Sequence, residues 1–478
     1  MRHKIWIVLS MLLVAVLLVM TGCAPKATPA PTTAVEPTAA EAPAAEPTSA
    51  PAAEAPAAEA PAAEVACETP VEINFIVWSY GIETIQDNIK NFEAMNPCTK
   101  IILKDYSWLE YHDTMVGLFT AGASPEAQYG SDHWLQEWAS AEWLQPLDDL
   151  CPNVAEYNKE VAAYAKEGMT YNGKTYGLSY YADTMDFVYN EKFLKDAGFD
   201  TAPQTLDDVY TMSKAIKEKG TNEYPIIMAW SQKEGAYPEA WLSMIYAQHQ
   251  GGNAMFDADL NPVFNKEGSE AFMVMEWLKK VYDEGLMDPA SLTMAEIDQV
   301  KSMQAGAHTF TIFPQYNMAE VNKPNSGDYA GMFKIALMPG PSHATVGYVR
   351  FYSLSPKIVE MGPEAVAAAC TWLDYFGGKT DGTYVVVKRW AVENGLGFAQ
   401  LPLFDDPDVI AAFGKWGDVP TIKAQAEIAR SKEGLTTWYG AWDVFVRAEI
   451  HKAILGEVPI QKALDNMADE WNRLKAQG

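Results

Sequence analysis

The chain has 478 residues with Lys+Arg 35 against Asp+Glu 63, a formal net charge of −28 and a sequence pI of about 4.6. So acidic a chain lacks the cationic field that a nucleic-acid-binding surface needs. Hydrophobic residues at 49% and charged ones at 21% exclude global disorder, and 15 Trp with 23 Tyr leave aromatics for a binding surface as well as a core.

The amino terminus comes first. Residues 1–4 (MRHK) are basic, residues 5–20 are apolar apart from Ser10, and Thr21, Gly22 and Cys23 follow. This is the layout of a secretory signal, and the apolar run is shorter than the roughly 20 residues of a spanning helix. A Cys directly after Thr-Gly resembles a bacterial lipobox, although Met20 stands where that pattern favours Leu. The resemblance implies removal of residues 1–22 and lipidation of Cys23, palmitate included, with an uncleaved anchor helix as the plainer alternative. Acyl chains there would hold the protein to the outer face of the cytoplasmic membrane.

Residues 24–66 hold little but Ala, Pro, Thr and Glu, with four copies of APAAE. Such a segment cannot bury a core, so 23–67 reads as a lipidated Cys and a disordered linker. Fully extended as polyproline, it would reach about 130 Å.

Of the five Cys, Cys23 goes to lipid, leaving Cys67, Cys98, Cys151 and Cys370 in a disulfide-permissive compartment. Cys67 precedes the apolar run 71–78 and Cys98 precedes 101–103. If those runs are adjacent parallel strands, both thiols lie at one end of the sheet, and a bridge between them is expected. Cys151 and Cys370 are either the leftover pair or two buried free thiols.

From 71 onward the pattern reads strand (71–78), helix (82–96), strand (101–106), helix (109–121) and a short apolar segment (127–131), which gives a parallel sheet covered by helices. Asn172-Gly173 turns a hairpin, and a strand run continues to 189. Helices follow at 203–220, 238–250, 267–284 and 291–305, broken by strands near 225–230 and 308–313. The 331–354 stretch is strand-rich, and 363–377, 406–432 and 436–478 read as helical. A body of this length wants two cores.

The run 171–198 (YNGKTYGLSYYADTMDFVYNEKFLKDAG), with Pro203 and Leu206-Asp207-Asp208, resembles a signature of the family 1 extracellular solute-binding proteins of ABC importers, the maltose-binding-protein-like group. Looser likenesses at 116–150, 276–287, 303–316, 335–355 and 453–474 keep that family's order over nearly the whole chain after residue 70. The resemblance implies an α/β fold of the periplasmic-binding-protein-like type II class: two α/β lobes joined by a multi-crossing hinge, with a ligand cleft between them. Lobe 1 would be 68–182 plus 314–357, lobe 2 would be 184–312 plus 358–478, and crossings would fall near 182–184, 313–314 and 355–357. It implies a monomer that hands a solute to a pair of permease subunits.

A sugar needs flat aromatics against its C–H face and carboxylates, amides or Arg around its rim. Ligands of open α/β sheets bind beyond the carboxyl ends of the strands, which brings forward Trp78, Ser131, Asp132, His133 and Trp230 with Tyr237. The family resemblance adds Asp183 at an acidic sugar-contacting position and Tyr316 at a stacking position. Tyr181 or its neighbour Tyr180 faces the cleft, since adjacent strand residues point opposite ways. Gly347, Tyr348 and Arg350 on a late loop, and Trp438 and Tyr439 before the last helical run, complete the expected ligand set. The plain readings are a helix cap for Asp132, an ion pair for Asp183 or Arg350, and core positions for Trp138 and Trp143.

Metal and catalytic residues are expected to be absent, as is a cofactor. Residues 257–268 begin like a calcium loop, but Pro262 and Gly268 stand where Gly and Glu are required, so a turn is expected. The rival from another class is a secreted glycoside hydrolase using Asp132 and Asp183 as its carboxyl pair. A polyol, polyamine or glycerol phosphate ligand is the rival within the binding class.

Overall fold

The computed structural model describes Cys67, residues 70–232 and residues 237–477, with the backbone alone at Tyr237 and Pro238. The expected signal peptide, Cys23 and the linker lie outside the described residues.

The alternating pattern at the start forms β1 (Val71–Trp78), α1 (Ile82–Met95), β2 (Thr99–Tyr106), α2 (Trp108–Thr120), β3 (Ala127–Ser131) and α3 (Asp132–Ser140). β1 lies parallel to both β2 and β3, so the carboxyl ends of all three face the same way. The next long strand is β4 (Leu178–Asn190), followed by α4 (Leu206–Glu218), α5 (Tyr237–Gln248), α6 (Glu270–Asp283), α7 (Glu296–Gln304), β5 (Phe310–Pro314), β6 (Phe333–Ala336) and β7 (Gly347–Leu354). The chain ends in helices: α8 (Pro363–Phe376), α9 (Val385–Asn394), α10 (Val419–Ile428), α11 (Tyr439–Ile454) and α12 (Ile460–Lys475).

The sheet order is β2-β1-β3-β7-β4-β5, with β6 also on β4. β4 is the shared element. Its first half pairs with β7, from Leu178 opposite Tyr352 to Thr184 opposite Gly347. Its second half lies between β5, with Met185 opposite Pro314, and β6, with Asn190 opposite Phe333. Thirteen residues at about 3.3 Å each let one strand serve both halves of the sheet. A register shift between Ser179 and Tyr181 sends Tyr180 into the first core, where it stacks on Tyr129 at 4.5 Å, and leaves Tyr181 on the other side.

Each half has an aromatic core. In the first, Phe75 of β1 meets Tyr129 at 5.4 Å and Trp372 of α8 at 4.9 Å. In the second, Trp442 of α11 and Trp471 of α12 enclose Phe256. α12 forms because Ala463, Leu464, Met467, Ala468, Trp471 and Leu474 recur on one face. α4 begins at a capping box of Thr205 and Asp208, part of the Leu206-Asp207-Asp208 signature.

Several expectations need correction. α8, expected in the second lobe, packs on β1 and β7 of the first half, and Cys370 on it is bonded to Cys151. β6, expected in the first lobe, pairs with the second half of β4. Periodicity shows that a helix has an apolar face, but not which sheet that face covers. The 225–230 run forms no named strand: Ile226 bridges to Phe310 of β5 and to Met287, and the Ile227 N–H donates to the Phe310 carbonyl. The helical run 406–432 breaks into Pro407–Phe413 and α10, and the last one breaks between Ile454 and Ile460. Cys67 is bonded to Cys98 at the amino ends of β1 and β2. At 257–261 the Asp257 carboxylate accepts the backbone N–H groups of Asp259 and Asn261, which closes a turn.

Candidate functional site

Where β3 ends and α3 begins, the chain presents Ser131, Asp132 and His133 at the carboxyl edge of the first half-sheet. Ser131 is fully buried and donates its hydroxyl to Asp132 Oδ1 at 3.1 Å. Asp132 Oδ1 also accepts the His133 backbone N–H at 3.0 Å and Arg350 Nη1 at 2.8 Å. Arg350 comes from β7, antiparallel to β3, and its register partner is Ser131 itself.

The other oxygen of Asp132 meets a residue from far along the chain. Lys432 Nζ stands 3.2 Å from Asp132 Oδ2, 2.9 Å from His133 Nδ1 and 3.2 Å from Glu239 Oε1. The Lys432 segment is held on the second half: Glu433 accepts the backbone N–H groups of Ala254 and Met255. Glu239 sits in the first turn of α5. Burial works to raise the Glu239 carboxyl, but the Lys432 ammonium and the Arg447 guanidinium outweigh it and hold it down at about 2. Burial, Lys432 and Arg350 push His133 well below the usual imidazole range. It is therefore neutral, with Nδ1 accepting from the Lys432 ammonium. On α11, Arg447 pairs with Asp443 at 2.8 Å.

A second chain of contacts runs beside the first. Tyr348 Oη lies 3.0 Å from Tyr181 Oη, and Tyr181 donates to Asp183 Oδ2 at 3.2 Å. Asp183 also accepts the backbone N–H groups of Thr184 at 3.1 Å and Tyr316 at 3.0 Å. Burial and the nearby Asp186 raise the Asp183 carboxyl well above its ordinary range. The Tyr316 hydroxyl donates to Glu296 of α7, which also accepts from Asn317 Nδ2 at 2.8 Å. Tyr439, the first residue of α11, is 2% exposed, and its hydroxyl has no hydrogen-bond partner among the described residues.

The structure thus gathers Ser131, Asp132, His133, Tyr181, Asp183, Tyr316, Tyr348 and Arg350, with Tyr439 alongside. Four expected residues lie elsewhere. Trp78 is 7% exposed and packs on Tyr111 and Tyr129 in the first core. Trp230 is fully buried, its carbonyl accepting from His451 Nε2. Trp438 packs on Trp471. Gly347 faces the Tyr164 ring, which would lie 2.5 Å from an added Cβ, so its role is close packing. The side chain of Tyr237 lies outside the described residues. Strand-end reasoning finds such residues but cannot separate those pointing out of the sheet from those folded back into it.

Glu239, Glu296, Lys432, Asp443 and Arg447 were not anticipated. They sit on helices and a late loop, with no spacing that links them in sequence. The one usable signal was Lys432's place just before the aromatic cluster at 438–442.

Asp132 is held by two cations, and Asp183 by two backbone donors and a tyrosine. Both side chains are held in fixed positions by these contacts. The arrangement is that of a polar binding surface framed by aromatics.

The chain is 24% identical over 200 residues to the maltotriose-binding protein of Pyrococcus abyssi, a match that spans 41% of this chain and 40% of that relative. Among solved structures it resembles maltose-bound MalE3 of T. maritima, at TM-score 0.69 and 19% identity, covering 84% of this chain and 100% of that one. It also resembles the cyclic α-maltosyl-1,6-maltose binding protein of Arthrobacter globiformis, at TM-score 0.70 and 17% identity, covering 86% and 100%. Residues 78–381 match the model of the bacterial extracellular solute-binding proteins, and the chain belongs to that family.

Proposed function

We propose that the protein is the lipid-anchored receptor of an ABC importer, which takes a neutral mono- or oligosaccharide between two lobes, closes over it and delivers it unchanged to a pair of permease subunits. The observation that carries this reading is the cluster in which Asp132, His133 and Arg350 of one half-sheet face Lys432 and Glu239 of the other. The two halves share the single long strand β4, and a hinge within β4 near residues 182–185 lets one half swing against the other. In this reading the lobes follow the expected division except that β6 goes to the second, and the segment from α8 through α9 to Leu401, which contacts Asp87, Asn88, Glu160 and Ala162, goes to the first.

Three further features support the reading. The polar groups sit where strands end, as ligand sites of open sheets do. The unpartnered Tyr439 hydroxyl offers a donor that a solute could satisfy. The relatives named as binding maltotriose and maltose supply the sugar class. In this reading Cys23 carries the lipid, and the monomer works outside the cytoplasmic membrane without catalysing any reaction.

The test is a thermal-shift screen against sugars, polyols, polyamines and glycerol phosphate, followed by recovery of the ligand. A ligand at about 100 times its dissociation constant stabilises by about 2.7 kcal/mol. A sugar should raise the melting temperature and be recovered intact. Hydrolysed product would establish the glycoside hydrolase instead, and stabilisation by a polyamine or phosphate alone would retire the sugar class.

A further inference from the structure

We propose that Trp108 is an outer sugar-stacking platform, so that the ligand is a disaccharide or longer whose inner unit meets the Asp132, Tyr181 and Asp183 cluster. This rests on the sugar-binding reading above and deepens it by fixing ligand length.

Trp108 opens α2 directly after β2 ends, at the same carboxyl edge as Ser131. Its ring is fixed by four neighbours. Trp134 lies 5.1 Å away with a 30° tilt, Trp78 meets it edge-on at 5.2 Å, His133 is at 6.5 Å, and the Arg350 guanidinium carbon stands 5.4 Å from its centroid. Two of these, His133 and Arg350, belong to the polar cluster.

Even so, Trp108 remains 43% exposed and the adjoining Leu109 65% exposed, while Trp78, at the end of the neighbouring strand, is only 7% exposed. An indole held in place by packing yet partly open to solvent offers a rigid apolar plane. A pyranose has a matching C–H face.

The second observation comes from Arg350, whose side chain is 10% exposed. Its Nη1 serves Asp132 and the Val349 carbonyl. Its Nε and Nη2 make no hydrogen bond among the described residues, which leaves three of the five guanidinium N–H donors beside the Trp108 ring for the hydroxyls of a stacked sugar. A flat apolar face with unspent donors at its edge is what a sugar ring requires.

The experiment is calorimetry on wild type, Trp108→Ala and Trp108→Phe with glucose, galactose, mannose and xylose and with the disaccharides maltose, cellobiose, melibiose, mannobiose and xylobiose. In wild type the best disaccharide should bind more tightly than its monosaccharide. Trp108→Ala should weaken that disaccharide about tenfold or more while leaving the monosaccharide unchanged, and Trp108→Phe should restore most of the loss. Equal weakening of both sugars, or of neither, overturns the outer platform while the sugar-binding reading stands. A wild type that binds none of these sugars removes that reading, and this inference with it.

Discussion

Lys432 and Asp132 meet across the two halves of the sheet, Nζ to Oδ2 at 3.2 Å, with side chains 1% and 2% exposed. They are 300 residues apart in sequence, in segments anchored to different cores. Charges so deeply placed are poorly screened by salt and lose heavily if either partner is removed. The contact is therefore a strong determinant of how the halves sit.

Lys432→Met should leave Asp132 with Arg350 and Glu239 with one fewer cation. We expect a loss of about 3 kcal/mol from the closed arrangement, with cooperative unfolding retained. Urea denaturation measures the stability, and small-angle scattering with the sugar present should show a larger radius of gyration than sugar-bound wild type.

Asp183→Ala combined with Tyr316→Ala removes the acceptor of three hydrogen bonds and an aromatic wall. Ligand affinity should fall by several kcal/mol, since sugar hydroxyls lose a fixed partner. Calorimetry with the sugar found by thermal shift checks this, and unchanged affinity would place both residues outside the site.

Asp186 is fully buried in β4, its Oδ1 accepting from the Thr184 hydroxyl at 2.8 Å and its Oδ2 unpartnered. Burial raises its carboxyl from 3.8 to about 7. A raised folded value means that the native state holds a proton the unfolded state has lost between about pH 4 and 7, so this group's contribution to stability declines as pH rises through that window. Asp186→Asn should remove the decline and be more stable than wild type at pH 8 by up to about 4 kcal/mol, a difference that vanishes below pH 4. Denaturation curves at pH 4, 6 and 8 measure it.

Glu239 acts in the opposite sense. Its folded value of about 2 lies below the ordinary 4.5, so its stabilising contribution is full above about pH 4.5 and is lost as pH falls toward 2. Glu239→Gln should weaken the protein at pH 7 and make little difference at pH 2, as melting temperatures at the two pH values will show.

Cys151→Ala with Cys370→Ala opens a link spanning 219 positions that ties α8 to the first half. A loss of about 2–5 kcal/mol is expected, read by urea denaturation.

What was legible in the sequence follows from physics that acts locally. The β1-α1-β2-α2 order was readable because alternation and amphipathic periodicity are short-range. Asp132, Asp183 and Arg350, which strand ends and a family resemblance mark in the sequence, lie in the polar clusters described above. Lys432 and Glu239 carry no such mark, because their partnership exists only once β4 has brought two separate cores together. The placement of α8 was hidden for a related reason: an apolar face carries no record of which sheet it will cover. Trp108 falls between the expected strand 101–106 and helix 109–121 and was not singled out, since exposure at one end of α2 leaves no trace in composition.

The most direct test of closure over an unaltered sugar is a small-angle scattering titration of wild type with the sugar identified by thermal shift. The account predicts a radius of gyration that falls and saturates at the concentration where calorimetry saturates, with the sugar recovered chemically intact. Superimposable curves at every concentration would contradict it.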